Sequence, residues 1–462
     1  MTQLLNNPIL LPLVLPMLMG LVCLLIPNLA RGLRSLLAVL TTALVLALVW
    51  PLFQQAGLIQ DTLPWLSWRV DALSAFTLLA VAFFGLLIAV YSVGYMKGRA
   101  RHREYFTYLL WTLGASCAVV LANELLLLLV CWGFLGLMLY LMAGLSGPGA
   151  AGAARKSLMI IGGSDALMLL GIVTYWQLAG STRMDGPAIA LDGPLAYTAF
   201  LTLVAAAFAK AGAVPFHSWV PDFGENTDAP VSAYLPASLD KLLGIYLLAR
   251  CFLDLFIPTP AMYGMLMLLG AITVISAVLM ALVQHDLKRL LSFHAVSQVG
   301  YMILGIGTGT AIGLAGGLFH MLNNTIYKSS LFLCAGVIEN ETGTTDLDRL
   351  GGLARLMPVT FISCTIAALS ISGIPPLNGF ASKWMIYQGI ITSGENTGPG
   401  WIVGLAVAML GSALTLASFV KVLHAGFLCK PSPLVKQKQI SENRITMLIP
   451  LVLLALLCLV FG

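Results

Sequence analysis

The strongest constraint on the fold is a series of apolar segments, each about 20 residues long, that fills most of the chain. Hydrophobic residues make up 59% of the sequence and charged residues only 9%, whereas an ordinary soluble domain carries about 25% charged residues. The segments have the length of membrane-spanning helices and lack the short alternating pattern of a transmembrane barrel. We therefore predict an all-α polytopic membrane protein with about 14 transmembrane helices.

The predicted spans follow from the lengths of the apolar runs. They lie near residues 8–27, 33–53, 72–96, 105–122, 125–145, 157–178, 197–219, 230–253, 260–283, 289–307, 311–338, 358–390, 401–425 and 443–461. No basic residue precedes the first run, which predicts a retained helix with an external N-terminus rather than a secretory signal.

The distribution of Lys and Arg predicts the orientation of these spans. Loops that follow odd-numbered spans hold 17 basic residues and the other loops hold 3, so the odd-numbered loops are expected to be cytoplasmic and both termini external. The 17 are Arg31, Arg34, Lys97, Arg99, Arg101, Arg103, Arg155, Lys156, Lys288, Arg289, Arg349, Arg355, Lys421, Lys430, Lys436, Lys438 and Arg444. The 3 are Arg69, Arg183 and Arg250; for Arg250, a snorkelling side chain is expected.

Four further lysines lie inside apolar runs: Lys210, Lys241, Lys328 and Lys383. A charge at the bilayer centre costs about 2.5–3.5 kcal/mol even on the lenient insertion scale. Ionisable groups at such positions usually mark an ion path. The sequence therefore favours a proton or cation conductor over a passive anchor.

Two of the predicted spans contain helix breakers beside these lysines. The first reads AFAKAGAVPFHSWVPD (207–222), where Pro215 is expected to release the carbonyl of Ala211. The second reads ISGIPPLNGFASKW (371–384). Interrupted helices at corresponding points of two halves predict two inverted five-helix repeats. The predicted divisions are a three-helix segment at 1–103, repeats at 104–255 and 256–428, and a last helix at 429–462.

Polar residues form helical stripes on several spans. His320, Asn324 and Lys328 share one face of span 11, which suits either proton passage or a hydrogen-bonded seam. On span 10, His294, Ser297, Gln298 and Tyr301 predict either the lining of a water channel or packing contacts between helices.

Acidic residues are scarce near the lysines. Asp165 on span 6 is a candidate partner of Lys210, although a hydrated position near the cytoplasmic mouth would also explain it. Asp240 directly precedes Lys241, so the two side chains are expected to point about 100° apart.

The sequence predicts no cofactor, no metal site and no nucleic-acid partner. The eight cysteines are scattered and form no C-x-x-C pair, and no flavin or nicotinamide fingerprint is present. Any redox chemistry is therefore expected on another subunit.

Long motifs between about 68 and 425 are similar to those of one family. In order, they include WRVDALSAFTLLAV, AFAKAGAVPFHSWVPD, LPASLDKLLGIYLLAR, HDLKRLLSFHAVSQVGYMILG, FHMLNNTIYKSSLFLCAG and GIPPLNGFASKW. They resemble the antiporter-like proton-pumping subunits of respiratory complex I, of multi-subunit sodium/proton antiporters and of membrane-bound energy-converting hydrogenases.

The resemblance implies roles for individual residues. Lys210 matches the central lysine, Lys241 the bridging lysine and Lys383 the terminal ionisable residue of the family. His320 and Lys328 match its polar pair on span 11, where a frequent second histidine is replaced by Asn324. Asp165 resembles an acid found on span 6 in some members. The implied route enters from the cytoplasm near Lys210, continues through Lys241, His320 and Lys328, and ends near Lys383.

One position departs from the family pattern. The family usually has a glutamate after the tryptophan of span 5, whereas Trp132 is followed here by Gly133. Glu124 is nine positions earlier and too distant for a simple replacement. Either Asp165 pairs with Lys210 instead, or the first half-channel is altered or inactive.

Four functions remain open at this stage. The first is a proton-translocating subunit of a respiratory or energy-converting oxidoreductase complex, with membrane and soluble partner subunits, in a bacterial or archaeal cell membrane. The second is a subunit of a Na⁺(K⁺)/H⁺ antiporter. The others are the membrane partner of an inorganic-carbon uptake system and a non-pumping scaffold.

Overall fold

The computed structural model describes residues 8–55, 57–63, 66–394, 400–442 and 444–462, most of which are helical. The expectation of an external N-terminus concerns residues 1–7, which lie outside this description. Nine helices within the described ranges are long and apolar enough to cross a membrane, and three shorter apolar helices accompany them. The prediction of an all-helical membrane protein is confirmed, while the count of 14 spans stays a prediction.

The chain forms two compact units, which are Met1–Lys210 with Leu242–Pro258, and Ala211–Lys241 with Thr259–Gly462. The helices that begin in the first part of the chain are α1 (Leu11–Leu25), α2 (Arg31–Gln54), α3 (Ala72–Tyr95), α4 (His102–Leu121), α5 (Leu125–Leu145), α6 (Ala151–Ala179) and α7 (Pro194–Ala211). The remaining helices are α8 (Trp219–Asn226), α9 (Ala229–Tyr234), α10 (Asp240–Arg250), α11 (Pro260–Leu282), α12 (Leu287–Gly307), α13 (Ala311–Thr342), α14 (Pro358–Ser372), α15 (Asn378–Thr392), α16 (Gly400–Leu423), α17 (Pro433–Gln437) and α18 (Ile445–Val460).

The described residues of the first unit include four short strands. Strands β1 (Leu58–Leu63) and β2 (Leu66–Val70) form an antiparallel hairpin, and β3 (Ile189–Ala190) pairs in parallel with β4 (Phe256–Ile257). The hairpin leads directly into α3, which starts with a capping box. The backbone N–H of Ser74 donates to the Asp71 carboxylate and the backbone N–H of Asp71 donates to the Ser74 hydroxyl, both at 2.8 Å.

Helices α11 and α12 of the second unit cross at an unusually short distance. A Cβ added to Gly270 would lie 2.9 Å from the carbonyl oxygen of Gly300, and one added to Gly300 would lie 2.7 Å from that of Gly270. Small residues permit this backbone approach, which is a common device between membrane helices. A larger side chain at either position would force the helices apart.

Both predicted helix breaks are present. Helix α7 ends at Ala211 and is followed by Gly212 (φ +75°), while α14 ends at Ser372 and is followed by Gly373 (φ +81°). Glycine adopts this left-handed conformation without the Cβ penalty and commonly ends helices in this way. The chain becomes helical again within a few residues of each break, so each lysine-bearing segment consists of two helices.

The predicted span at 230–253 is helical throughout but contains two irregular turns. This segment consists of α9, a wide π turn at Leu235–Leu239, α10, and a second π turn at Cys251–Leu255. Pro236 lies within the first π turn, where its missing N–H disturbs the regular helical ladder.

Several cations assigned to loops lie inside helices instead. Arg155 and Lys156 belong to the first turns of α6, which starts six residues earlier than predicted. Arg34 lies in α2 and is fully buried, and its guanidinium donates to the carbonyl oxygens of Cys23 (3.1 Å) and Ile26 (2.6 Å). Arg34 therefore satisfies free carbonyls at the end of α1.

Candidate functional site

Lys210 lies in the last turn of α7, is fully buried and belongs to the first unit. Its ammonium nitrogen is 5.2 Å from the centre of the Trp132 ring on α5, which is within cation–π range. Asp165 on α6 is half-buried and interacts electrostatically with Lys210. We call Lys210, Asp165 and Trp132 the first-unit cluster.

The Asp165 carboxylate adjoins the position at which the family resemblance implies a glutamate. One of its oxygens is 3.8 Å from the point that a Cβ on Gly133 would occupy, and 3.9 Å from the corresponding point on Gly136. Because both positions are glycine, α5 leaves room for the carboxylate from α6. The structure thus brings Asp165 to the side of α5 from which the expected acid is missing.

Glu124 does not belong to this arrangement. It precedes α5, and its carboxylate accepts a hydrogen bond from the Thr182 hydroxyl at 2.5 Å. Nine helical residues separate its position from Gly133, a rise of about 13 Å.

Lys241 is fully buried, and its amine donates to the carbonyl oxygen of Ala211 at 2.9 Å. This is the carbonyl that the sequence predicted Pro215 would release. Asp240 is also buried and interacts electrostatically with Lys241. A released helix carbonyl and a buried lysine therefore satisfy each other at the first break.

Lys328 on α13 is fully buried, and its amine donates to the carbonyl oxygen of Leu291 on α12 at 2.8 Å. Its nitrogen lies 5.6 Å from the centre of the Phe419 ring on α16. The His294 ring lies 4.8 Å from the same phenyl ring, and its Nε2 is 2.8 Å from the Ser418 hydroxyl. Lys328 and His294 thus share one aromatic neighbour.

His320, one turn before Asn324 on α13, joins three helices. Its Nδ1 lies 2.9 Å from the Ser382 hydroxyl on α15, and its Nε2 lies 3.1 Å from Oε1 of Gln298 on α12. The amide oxygen of Gln298 can only accept, so Nε2 carries a hydrogen in this arrangement. The Tyr327 hydroxyl lies 3.3 Å from the same Nε2.

Lys383 on α15 lies at the second helix break. Its amine donates to the carbonyl oxygen of Ile371 at 2.9 Å and to the Ser412 hydroxyl at 3.1 Å. It also lies 4.4 Å from the centre of the Tyr301 ring. The Ser412 hydroxyl is within 3.0 Å of the Tyr301 hydroxyl and 2.7 Å of the Tyr387 hydroxyl, so one serine on α16 joins three polar side chains.

Several buried polar atoms between these lysines lack a protein partner. In the described part of the chain, both amide atoms of Asn324, Nε2 of Gln298 and Nδ1 of His294 accept or donate no hydrogen bond. All three side chains are 0% exposed. A buried amide or imidazole atom left unpaired is costly, and internal water normally satisfies it. We call Lys328, His294, Asn324, Gln298, His320 and Lys383 the second-unit cluster.

The predicted stripe on span 10 divides between two faces of α12. His294, Gln298 and Tyr301 contact α13, α15 or α16, whereas the Ser297 hydroxyl donates to the carbonyl oxygen of Val274 on α11. Sequence reasoning missed Ser412 on α16. The hydroxyl-bearing residues Ser412 and Thr415, three positions apart in an apolar run, were the available signal.

Arg250 is not a snorkelling side chain. Its guanidinium donates to the Asp71 carboxylate at 2.6 and 2.8 Å and to Asp254 at 2.5 Å, and its side chain is 3% exposed. Arg69 joins the same group through Asp71 at 2.8 Å. Burial raises the pKa of Asp71, but the hydrogen bond and charge of Arg250 outweigh burial and hold that pKa well below its usual range.

The sequence matches two family models. Residues 122–415 match the transmembrane region of the NADH:quinone oxidoreductase/Mrp antiporter family, and residues 62–106 match the N-terminus of NADH-ubiquinone oxidoreductase (complex I) chain 5. Subunit L of the F420H2 dehydrogenase of Methanosarcina mazei is 34% identical over 85% of this chain and 63% of the relative. Na⁺/H⁺ antiporter subunit A1 of Staphylococcus haemolyticus is 33% identical over 85% of this chain and 52% of the relative.

The fold is also found in a solved structure. A chain of the Mrp complex from Dietzia sp. is similar with a TM-score of 0.86 and 22% identity, and the match covers 98% of this chain and 93% of that one. This chain spans only about half to two thirds of the length of the two curated relatives. Since one family model covers well over half of the sequence, the chain belongs to the NADH:quinone oxidoreductase/Mrp antiporter transmembrane family.

Proposed function

We propose that this chain is a proton-translocating, antiporter-like membrane subunit of a multi-subunit respiratory or energy-converting complex. The observation that carries the proposal is the second-unit cluster, in which fully buried amines and imidazoles lie among polar atoms that have no protein partner. Such atoms need water, and water beside amines and imidazoles can relay protons.

The order of contacts supports a continuous path. Lys328 contacts the carbonyl of Leu291, one turn before His294, and Gln298 lies one turn after His294 on the same helix. Gln298 contacts His320, and Tyr301 contacts Lys383 through its ring. Asn324 has no titratable proton, so a proton that passes it must be carried by water.

We assign roles to the predicted residues on this basis. Lys210, Lys241, Lys328 and Lys383 would hold the transferred proton in turn, and His294 and His320 would pass it between amines. Asp165 would modulate Lys210 through its charge. Asp240, Asn324 and Glu124 would have secondary roles in positioning and hydration.

A second candidate is a subunit of a Na⁺(K⁺)/H⁺ antiporter, favoured by the 33% identity to an Na⁺/H⁺ antiporter subunit. The two functions share the proton path and differ in the coupled reaction. Proton movement driven by a redox reaction without Na⁺ or K⁺ supports the first, and proton movement that requires a Na⁺ or K⁺ gradient supports the second.

The remaining expectations form part of the proposal. The chain would lie in the cell membrane of a bacterium or archaeon, with both termini external, beside other membrane subunits and soluble redox or coupling subunits. The two five-helix repeats at 104–255 and 256–428 are supported by the similar breaks after Ala211 and Ser372. Membrane-impermeant labelling of single cysteines introduced at Lys97 and Arg183 would test the orientation, since only the second should react from outside.

The deciding experiment is Lys328→Ala in the assembled complex, with proton uptake measured in sealed inverted vesicles and normalised to the turnover of the driving reaction. We expect coupled proton uptake to fall at least about tenfold, equivalent to ~1.4 kcal/mol on the barrier. Lys436→Ala, at an exposed position on α17, is the matched control and should pump normally. Normal pumping by Lys328→Ala would exclude the proposed path.

A further inference from the structure

A cavity in the first unit is lined by none of the residues of the first-unit cluster. It has a volume of about 650 Å³ and lies where α4 begins, α5 ends and α6 begins. Because three spans start or stop there, the cavity is at the level of a membrane surface rather than the bilayer centre. Its chemistry is therefore that of an interfacial site.

Two guanidinium groups line this cavity, and neither forms an ion pair with a carboxylate of the described residues. Arg101 donates one hydrogen bond to the carbonyl oxygen of Gly144 at 2.8 Å, and Arg155 makes no hydrogen bond or ion pair with any described residue. The carboxylate that lines the cavity, Glu104, pairs with Arg103 at 3.3 Å. The cavity thus keeps most of the donors of two arginines available for an anion.

The backbone at Arg101 is strained in a way that serves this arrangement. Arg101 has φ +56°, the one positive φ among non-glycine residues in the described ranges. A left-handed conformation costs an ordinary residue of order 1 kcal/mol and tends to persist at functional sites. Here it directs the residue before α4 toward the end of α5.

The other lining residues suit an amphipathic ligand. Tyr108 and Tyr140 supply two phenol groups whose hydroxyls have no partner among the described residues, and tyrosine is enriched at membrane surfaces. Leu141 and Leu145 supply an apolar wall on the side of α5. Further basic residues are close in sequence to the residues that line the cavity: Lys97, Arg99, Arg103 and Lys156.

We propose that this cavity binds an anionic phospholipid, with the phosphate between Arg101 and Arg155 and an acyl chain along Leu141 and Leu145. Guanidinium forks match phosphate geometry and form charge-assisted hydrogen bonds. Unneutralised basic side chains at a membrane surface attract anionic lipid. The site shares no residue with the proposed proton path. The outcome of its test therefore does not depend on the proposed function.

The test uses the purified full-length chain in detergent, with bound lipid measured by native mass spectrometry during titration with phosphatidylglycerol or phosphatidylcholine. The wild type should retain one phosphatidylglycerol in preference to phosphatidylcholine. Arg101→Gln with Arg155→Gln should weaken that binding about 30-fold, the loss expected from two basic contacts at a membrane surface. The matched control, Arg355→Gln with Lys436→Gln, removes two exposed charges elsewhere and should bind as the wild type does.

A second variant tests the shape of the site without changing its charge. Leu141→Trp would fill the apolar part of the cavity and should also lower phosphatidylglycerol retention at unchanged thermal stability. Equal retention of the two lipids, or equal loss in the control variant, would overturn the proposal. Complete competition by soluble glycerol phosphate would instead indicate a free-phosphate site. Crosslinks from a photoreactive group at Tyr140 to a protein subunit rather than to lipid, in the assembled complex, would indicate a protein occupant.

Discussion

The first-unit and second-unit clusters hold their buried amines by different means. Lys210 faces the Trp132 ring and interacts electrostatically with the Asp165 carboxylate. Lys328 and Lys383 donate to backbone carbonyls instead, and the described residues provide neither with an ion pair. A carboxylate can move or change its charge, whereas a helix carbonyl is fixed in place.

In the proposed function, this difference would separate two tasks that a translocating chain must perform. The first-unit cluster can respond to a charge that changes nearby, because its carboxylate interacts with the amine through space. The second-unit cluster is suited to passing a proton along hydroxyl, imidazole and amide groups through water. Substitutions that remove hydration should therefore act on the second cluster, and substitutions that remove charge should act on the first.

The largest effect is expected at Asn324. Replacing this amide by an isosteric apolar group, Asn324→Leu, removes both atoms that would bind water in the proposed path. It should lower coupled proton uptake about a hundredfold, the upper range for disrupting a buried polar contact. Proton uptake in sealed vesicles, divided by the turnover of the driving reaction, measures this loss. Asn324→His is the matched control, since imidazole keeps both hydrogen-bonding atoms, and it should retain uptake. Similar losses in both variants would mean that hydration at this point is not required.

Asp165→Asn should lower coupled uptake about tenfold, because the charge that interacts with Lys210 is lost. Gly133→Glu in the same chain should restore much of the activity, since a carboxylate from α5 would enter the space beside position 165. The same vesicle assay reports both variants. Unchanged coupling in Asp165→Asn, or no rescue by Gly133→Glu, would make the first-unit cluster a structural feature only.

A smaller effect is expected at Ser412, whose hydroxyl joins Lys383, Tyr301 and Tyr387. Ser412→Ala removes neutral hydrogen bonds worth about 1 kcal/mol each and should lower uptake about fivefold. Ser432→Ala, at a half-buried position that belongs to neither cluster, serves as the control on uptake. A loss as large as that of Asn324→Leu would mean that Ser412 carries the proton rather than positioning its neighbours.

Asp71→Asn should leave coupled uptake almost unchanged, because the Arg250 ion-pair group is separate from both clusters. It should instead lower stability by about 3 kcal/mol at pH 7, since it breaks a largely buried ion pair. The depressed pKa of Asp71 means that the wild-type advantage is complete above pH ~4 and is lost as the pH falls toward the native pKa. Thermal melting of both proteins in detergent from pH 7 down to pH 3 measures this, and a constant difference across that range would contradict the assignment.

Local patterns predicted the helices, the two breaks and the buried lysines, because each depends on residues close together in sequence. Gly212 and Gly373 end their helices where proline and glycine follow an apolar run. Contacts between distant segments could not be predicted in this way. Arg250 looked like a snorkelling cation because Asp71 is far away in sequence, although Asp254, four residues on, was a local signal. For Ser412, the spacing of hydroxyls along α16 was a signal, but it does not show which distant side chains the hydroxyl joins.

The crossing of α11 and α12 at Gly270 and Gly300 also limits how the protein can move. Every residue from Leu287 to Gly307 except Arg289 is buried, so α12 has neighbours around nearly its whole circumference. A helix held backbone to backbone on one side cannot slide or rotate without breaking that fit. His294 and Gln298, which α12 supplies to the second-unit cluster, would therefore keep their positions during turnover. The broken segment of α14 and α15 contributes no residue to the Gly270–Gly300 contact, so a shift of its ends would leave that contact intact.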